Sequence, residues 1–73
     1  MRLMPVDSEG VRAVGYEEER KILYIQYPER AIYEYFDVPV SEFIDLIHAE
    51  SIGWFVNKRI KPYYHYRKLA TAS

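Results

Sequence analysis

The sequence predicts a single α+β domain in which a three-stranded antiparallel β-meander precedes two α-helices packed on one face, in the order β-β-β-α-α. The chain has 73 residues, which is near the lower limit at which one hydrophobic core holds a fold. Apolar residues alternate with polar ones in its first half and recur with helical spacing in its second. One domain therefore spans residues 1–73.

The meander is predicted where β-branched and aromatic residues recur at every second position. Polar runs interrupt this pattern at residues 17–20 and 28–30, and such runs are typical of turns. The three predicted strands lie at residues 11–16, 21–27 and 31–37.

The turn between the second and third strands determines their register. A three-residue loop at residues 28–30 places Ile25 opposite Tyr33. It also places Leu23 opposite Tyr35, so the apolar side chains gather on one sheet face. A two-residue loop would separate these sets, and we therefore expect the longer loop, whose last residue adopts left-handed backbone at a cost of about 1 kcal/mol.

The first helix is predicted to open at Pro39, since proline at the first helical position loses no hydrogen bond. Glu42 and Asp45 are expected to face water. The apolar face, which should cover the sheet, comprises Val40, Phe43, Ile44, Leu46 and Ile47.

Ser51 is the predicted N-cap of the second helix. The apolar stripe of this helix comprises Ile52, Phe55, Val56 and Ile60, and Pro62 ends it. Trp54 and Lys58 lie four residues apart on a face turned away from the stripe, with Lys61 nearly in line. Arg59 falls within the arc of the stripe, so it must extend to solvent or find a carboxylate.

Charge divides the chain into an acidic and a basic part. Residues 1–50 hold eleven Asp and Glu against five Lys and Arg, whereas residues 51–73 hold five Lys and Arg and no acid. Cations for phosphates and ring faces for bases are what single-stranded nucleic acid binding requires. The predicted contacts, cations to phosphate and rings to bases or sugars, are Trp54, Lys58, Arg59, Lys61, Tyr64, Arg67 and Lys68.

Other interpretations stay open. In one, the rings of the basic part pack over the core and its cations pair with the acidic half, which gives a structural accessory role. In another, the chain docks a protein partner or a second copy through its outer sheet face. That face would present Ile22, Tyr24, Gln26, Ile32, Glu34 and Phe36. Tyr33 and Tyr35 are expected in the core beneath the helices rather than on an open platform for bases.

The residues offer no catalytic constellation, so we expect a binding module and not an enzyme, without cofactor, metal or small-molecule substrate. Cysteine is absent, and no serine stands in a motif with a base. Asp45 and His48 alone are too few ligands for a metal. Apolar runs of only a few residues predict no membrane span, and the lack of cysteine fits a cytoplasmic location. Residues 70–73 are expected to fray.

Spaced motifs run through nearly the whole chain, and they resemble the KTSC domain family over residues 5–69. They are Val11-x-x-Val14-Gly15-Tyr16, Leu23-x-Ile25-x-Tyr27, Tyr33-x-Tyr35-x-x-Val38-Pro39 and Ala49-x-Ser51-x-Gly53-x-Phe55-x-Asn57-x-x-Ile60. The family takes its name from the C-terminal extension of some lysyl-tRNA synthetases and includes small stand-alone bacterial and phage proteins. Arg30 stands where the family usually has glycine. The function of the family is not established: the synthetase context implies RNA binding and fits protein docking equally, and the resemblance leaves the role of Tyr33 and Tyr35 open.

Overall fold

A computed structural model of the chain describes residues 1–69. Its elements are β1 (Met4–Pro5), β2 (Ala13–Glu17), β3 (Ile22–Gln26), β4 (Ile32–Tyr35), α1 (Val40–Ile47), α2 (Ile52–Phe55), a π-helical segment (Val56–Ile60) and β5 (Tyr66–Lys68). The strands form one antiparallel sheet in the order β1-β2-β3-β4-β5. The α+β class is confirmed, whereas the three-stranded count is wrong because β1 and β5 extend the meander at both edges.

The two unpredicted strands carry little signal in the sequence. β1 has two residues and β5 has three, and all five are exposed. Hydrophobic alternation therefore cannot mark them, and they exist through their pairing with β2 and β4. Residues 70–73, for which we expect fraying, lie outside the described part of the chain.

The hairpin between β3 and β4 has the predicted register. The cross-strand pairs are Ile25 with Tyr33 and Leu23 with Tyr35. Its turn closes where the Arg30 N–H donates to the carbonyl oxygen of Tyr27 at 2.8 Å. Arg30 has a φ of 74°, which is the left-handed conformation that favours glycine.

Helices α1 and α2 cover one face of the sheet, and the main core lies between them and the strands. Its buried members are Val11, Val14, Leu23, Ile25, Tyr27, Tyr35, Val38, Leu46, Phe55, Val56 and Ile60. Of the stripe predicted for the second helix, Phe55, Val56 and Ile60 are buried and Ile52 is partly buried. Tyr35 is buried beneath the helices as expected, whereas Tyr33 is only partly buried against the core. No helix within residues 1–69 has the length and apolarity that a membrane crossing demands.

The buried face of α1 differs from the predicted one. It is centred on Leu46, which is fully buried, whereas Val40 and Ile44 remain exposed. Glu42, expected in water, is largely covered because its carboxylate meets two partners, Arg59 and Tyr64. Those contacts offset the cost of burying its charge. Pro39 lies just before the helix, so α1 begins one residue later than predicted.

The outer face of the sheet holds a second, smaller cluster. Ile22, Tyr24 and Ile32 are buried there under Leu3, Phe36 and Leu69. The N-terminal segment crosses this face at Gly15, since a β-carbon on that residue would collide with the backbone oxygen of Arg2. The apolar side chains that favour a docking surface here are therefore already covered within the chain.

Candidate functional site

The seven residues predicted to contact nucleic acid do not form one continuous surface. Two of them meet at Glu42. Arg59 Nη2 lies 2.9 Å from Glu42 Oε1, and the Tyr64 hydroxyl donates to Oε2 at 3.2 Å. The Arg59 guanidinium also lies 5.0 Å from the centre of the Phe55 ring. The expectation that Arg59 finds a carboxylate is confirmed, and both side chains tie α1 to the C-terminal segment.

Arg67 is turned to the outer face of the sheet. It pairs across the sheet with Glu34, and its Nε and Nη2 lie 3.0 and 2.8 Å from Glu34 Oε1. Glu34 is only 5% exposed, so the guanidinium supplies the charge that this carboxylate needs. Tyr66 and Lys68 flank Arg67 and point to the helix-covered face, opposite Tyr35 and Tyr33.

Trp54 and Lys61 line different cavities, so their predicted alignment is not observed. The Lys61 N–H donates to the carbonyl oxygen of Val56 at 2.9 Å, five residues back. One extra residue in a helical turn rotates the residues after it by roughly 100° relative to an α-helix. The π-helical segment therefore turns Lys61 away from Trp54.

Trp54 borders the first cavity, a groove of about 620 Å³ between residues 7–10 and the start of α2. Two hydroxyls fix this helix end: Ser51 Oγ accepts from the Trp54 N–H at 3.1 Å, and Ser8 Oγ accepts from the Gly53 N–H at 3.2 Å. The predicted N-cap is therefore confirmed. The carboxylates in the lining are Asp7, Glu9 and Glu50, and we call this the acidic groove.

The second cavity is a pocket of about 380 Å³ on the helix-covered face, near the edge of the sheet. Its lining, which we call the tyrosine pocket, is Tyr27, Glu29, Tyr33, Tyr35, Lys61 and Tyr66. β5 brings Tyr66 against β4, with its ring centre 5.4 Å from that of Tyr33 and 5.8 Å from that of Tyr35. Tyr66 is 59% exposed, so one ring of the pocket is open to solvent.

Two tyrosines of the tyrosine pocket are joined through their buried hydroxyls. The Tyr27 and Tyr35 oxygens lie 2.7 Å apart in one hydrogen bond. Burial, followed by that hydrogen bond, raises the pKa of Tyr27 far above its ordinary value, and burial raises the pKa of Tyr35. Both hydroxyls therefore keep their protons at neutral pH. Lys61 Nζ lies 4.8 Å from the centre of the Tyr27 ring, a cation–π distance.

Tyr27 and Tyr66 are pocket residues that sequence reasoning missed. Neither has a local signal of its role: Tyr27 continues the apolar alternation of β3, and Tyr66 lies on a strand of three exposed residues. Within residues 1–69, no three His, Asp or Glu side chains are grouped so as to hold a metal ion.

The fold and its cavities define a class of small α+β domain: a five-stranded meander with two helices on one face and an aromatic pocket near its edge. The model of the KTSC domain family matches residues 7–64. The chain therefore belongs to the KTSC domain family, as its motifs suggest.

The chain is also similar to individual known proteins. A protein of Tsukamurella paurometabola is 42% identical over 60 residues, which cover 82% of this chain and 90% of that protein. The crystal structure of a KTSC domain protein from Yersinia pestis matches with a TM-score of 0.91 and 30% identity, over 94% of this chain and 97% of the other. A lysine–tRNA ligase of Nostoc punctiforme is 32% identical over 68 residues, which cover 93% of this chain but only 12% of the ligase.

Proposed function

We propose that this domain is a non-enzymatic module that binds single-stranded RNA weakly through the lysines of its C-terminal segment. The proposal is based on three lysines, Lys58, Lys61 and Lys68. They are exposed and form no ion pair with any carboxylate of residues 1–69. Tyr66 adds an exposed ring, at 59%. Unpaired ammonium groups neutralise phosphates, and exposed rings stack bases.

Arg59 and Arg67 are expected to contribute less to RNA affinity than the lysines do. Each guanidinium faces a carboxylate within 3 Å, which reduces the positive field it offers to a phosphate. The lysines make no such pair within the described chain. We therefore expect Lys58, Lys61 and Lys68 to supply most of the salt-dependent affinity.

Similarity to the lysine–tRNA ligases supports RNA as the nucleic acid. The Nostoc enzymes, by their name, act on tRNA, and they contain a region similar to nearly all of this chain. Such a region in an enzyme that handles RNA favours RNA over DNA as the ligand proposed here. Cytoplasmic RNA agrees with the location expected from the cysteine-free sequence.

The test is titration of labelled single-stranded RNA at two salt concentrations. Three phosphate contacts predict that the logarithm of the binding constant falls by about 2 for each tenfold rise in salt. A Lys58→Glu/Lys61→Glu variant should bind weakly, with a smaller salt dependence. Arg12→Glu/Lys21→Glu makes the same charge change outside the C-terminal segment and should bind more tightly than that variant. Binding indifferent to both salt and the Lys58/Lys61 reversal would refute the proposal.

Docking of a basic protein segment is the second candidate, and the acidic groove favours it. Asp7, Glu9 and Glu50 lie beside the exposed ring of Trp54, where a lysine or arginine of a partner could pair and stack. Trp54 is the only tryptophan, so its emission reports on this groove. A shift of that emission by a Lys/Arg-rich peptide, lost in Glu9→Gln/Glu50→Gln, would support docking. An emission that such a peptide leaves unchanged would contradict it.

A further inference from the structure

We propose that the tyrosine pocket takes one unpaired nucleobase, whose flanking phosphate lies at Lys61. This inference rests on the RNA binding proposed above and assigns a base-binding site to it. The pocket combines three features that a nucleotide needs: ring faces, a buried hydrogen-bond donor and an unpaired cation at the wall.

The size of the pocket suits a single base. Its volume of about 380 Å³ lies at the small end of the range for small-molecule sites, roughly 300 to 1,000 Å³. Such a space is too small for a duplex or a protein helix. A base that enters it must therefore come from an unpaired, splayed strand, which is how sequence is read in RNA.

We assign the polar contact of the base to the hydroxyls of Tyr27 and Tyr35, two residues of the lining. Tyr27 and Tyr35 bring two O–H groups, and their mutual bond uses one of them as donor. Within residues 1–69, neither hydroxyl forms another hydrogen bond, although Tyr27 is only 9% exposed and Tyr35 1%. One buried O–H is thus left to donate, and the carbonyl oxygens and ring nitrogens of a base can accept it.

The exposed ring at the mouth of the pocket provides the stacking surface. Tyr66 lies on the edge strand and is 59% exposed, with Tyr33 and Tyr35 behind it. A base that stacks on an aromatic ring gains affinity whatever its identity, because every base has a π face. Tyr66 therefore contributes stacking affinity, and the hydroxyl pair contributes a hydrogen bond to the acceptors that every base carries.

Charge favours a nucleotide over a cationic guest. Lys61 Nζ already occupies the cation–π position on Tyr27, 4.8 Å from the ring centre, and repels a second cation. Glu29, also in the lining, disfavours an anion inside the pocket. A nucleotide suits both charged residues, because its base is neutral beside Glu29 and its phosphate lies outside the pocket at Lys61. Lys68, paired with Tyr33 in the strand register, extends the positive path along β5.

The experiment measures the affinity of the full chain for short U-only and A-only RNA strands of equal length. Tyr66→Ala should lower affinity about tenfold, whereas Tyr66→Phe, which keeps the ring, should stay within twofold. The matched control is Tyr63→Ala, since Tyr63 is 74% exposed and outside the pocket. Tyr27→Phe/Tyr35→Phe, which removes the hydroxyl donor, should lower the affinity for both strands about fivefold. Circular dichroism confirms that each variant is folded.

The outcomes separate this inference from the proposed function. If the wild type binds RNA and Tyr66→Ala binds as tightly as Tyr63→Ala, the pocket assignment is overturned while RNA binding stands. If no RNA binds to the wild type at low salt, both fall. Choline serves as the probe for a cationic guest, and shifts of the Tyr33 and Tyr66 ring resonances with choline but not with uridine monophosphate would overturn the nucleobase assignment.

Discussion

Arg30 shows how one backbone angle governs a hairpin. Its φ of 74° lets residues 28–30 close the turn that sets the register of β3 and β4. A non-glycine residue held in this conformation raises the energy of the folded chain. The position is therefore a local weakness in a small domain whose total stability is only a few kcal/mol.

Replacing Arg30 tests this cost. Arg30→Gly should raise the free energy of unfolding by about 0.5 to 1 kcal/mol, since relief of the left-handed strain outweighs the added chain entropy of glycine. Urea denaturation measures the change. Arg30→Ala is the matched control, because it removes the same side chain and keeps the backbone cost, and it should give no gain. An equal gain in both variants would assign the effect to the side chain.

The buried hydroxyl pair predicts alkaline instability. The pKa values of Tyr27 and Tyr35 are raised in the folded chain, so their contribution is intact below the unfolded pKa of about 10. Above that pH the unfolded chain loses protons that the folded chain keeps, and each such tyrosine removes up to about 1.4 kcal/mol per pH unit.

Urea denaturation between pH 9 and 11.5 tests the alkaline prediction. The free energy of unfolding should fall less steeply in Tyr27→Phe/Tyr35→Phe than in the wild type. Tyr63→Phe, which changes an exposed ring, should keep the wild-type slope. A double variant as sensitive to alkali as the wild type would show that other groups cause the loss.

At the scale of elements, α2 depends on its ends because it has only four α-helical residues before the π-helical segment. Ser51, the N-cap residue, accepts from the Trp54 N–H, and Ser8 in the N-terminal loop accepts from the Gly53 N–H. Ser51→Ala should lower the free energy of unfolding by about 1 kcal/mol. Thermal unfolding checks this, with Ser41→Ala in the exposed first turn of α1 as control. Equal loss in the two variants would contradict a specific cap.

The elements also show what the sequence can predict. The alternation of residues 22–26 and 32–35 identifies both central strands and their register, since one sheet face must be apolar. The edge strands cannot be predicted in this way, because they consist of a few exposed residues that become strands only by pairing with their neighbours. The π-helical segment, which turns Lys61 away from Trp54, likewise has no signal in the hydrophobic pattern.

At the scale of the whole molecule, composition identifies the kind of residue in the proposed site but not its arrangement. The sequence marks residues 51–73 as basic and aromatic, and the fold then divides their side chains among three surfaces. Arg67 joins Glu34 outside the sheet, Arg59 joins Glu42, and Lys61 enters the tyrosine pocket. Only the pairing of distant elements decides this, so no local pattern could have shown it.

The most direct test of the account is a map of where single-stranded RNA contacts the folded domain. We propose to follow backbone amide resonances of the ¹⁵N-labelled chain during titration with a short U-only strand at low salt. Binding through the tyrosine pocket and the C-terminal lysines predicts shifts clustered at residues 27–35, 58–61 and 66–68, which reverse as salt is raised. Shifts confined to the acidic groove at residues 7–10 and 49–57, or no shifts at all, would contradict it.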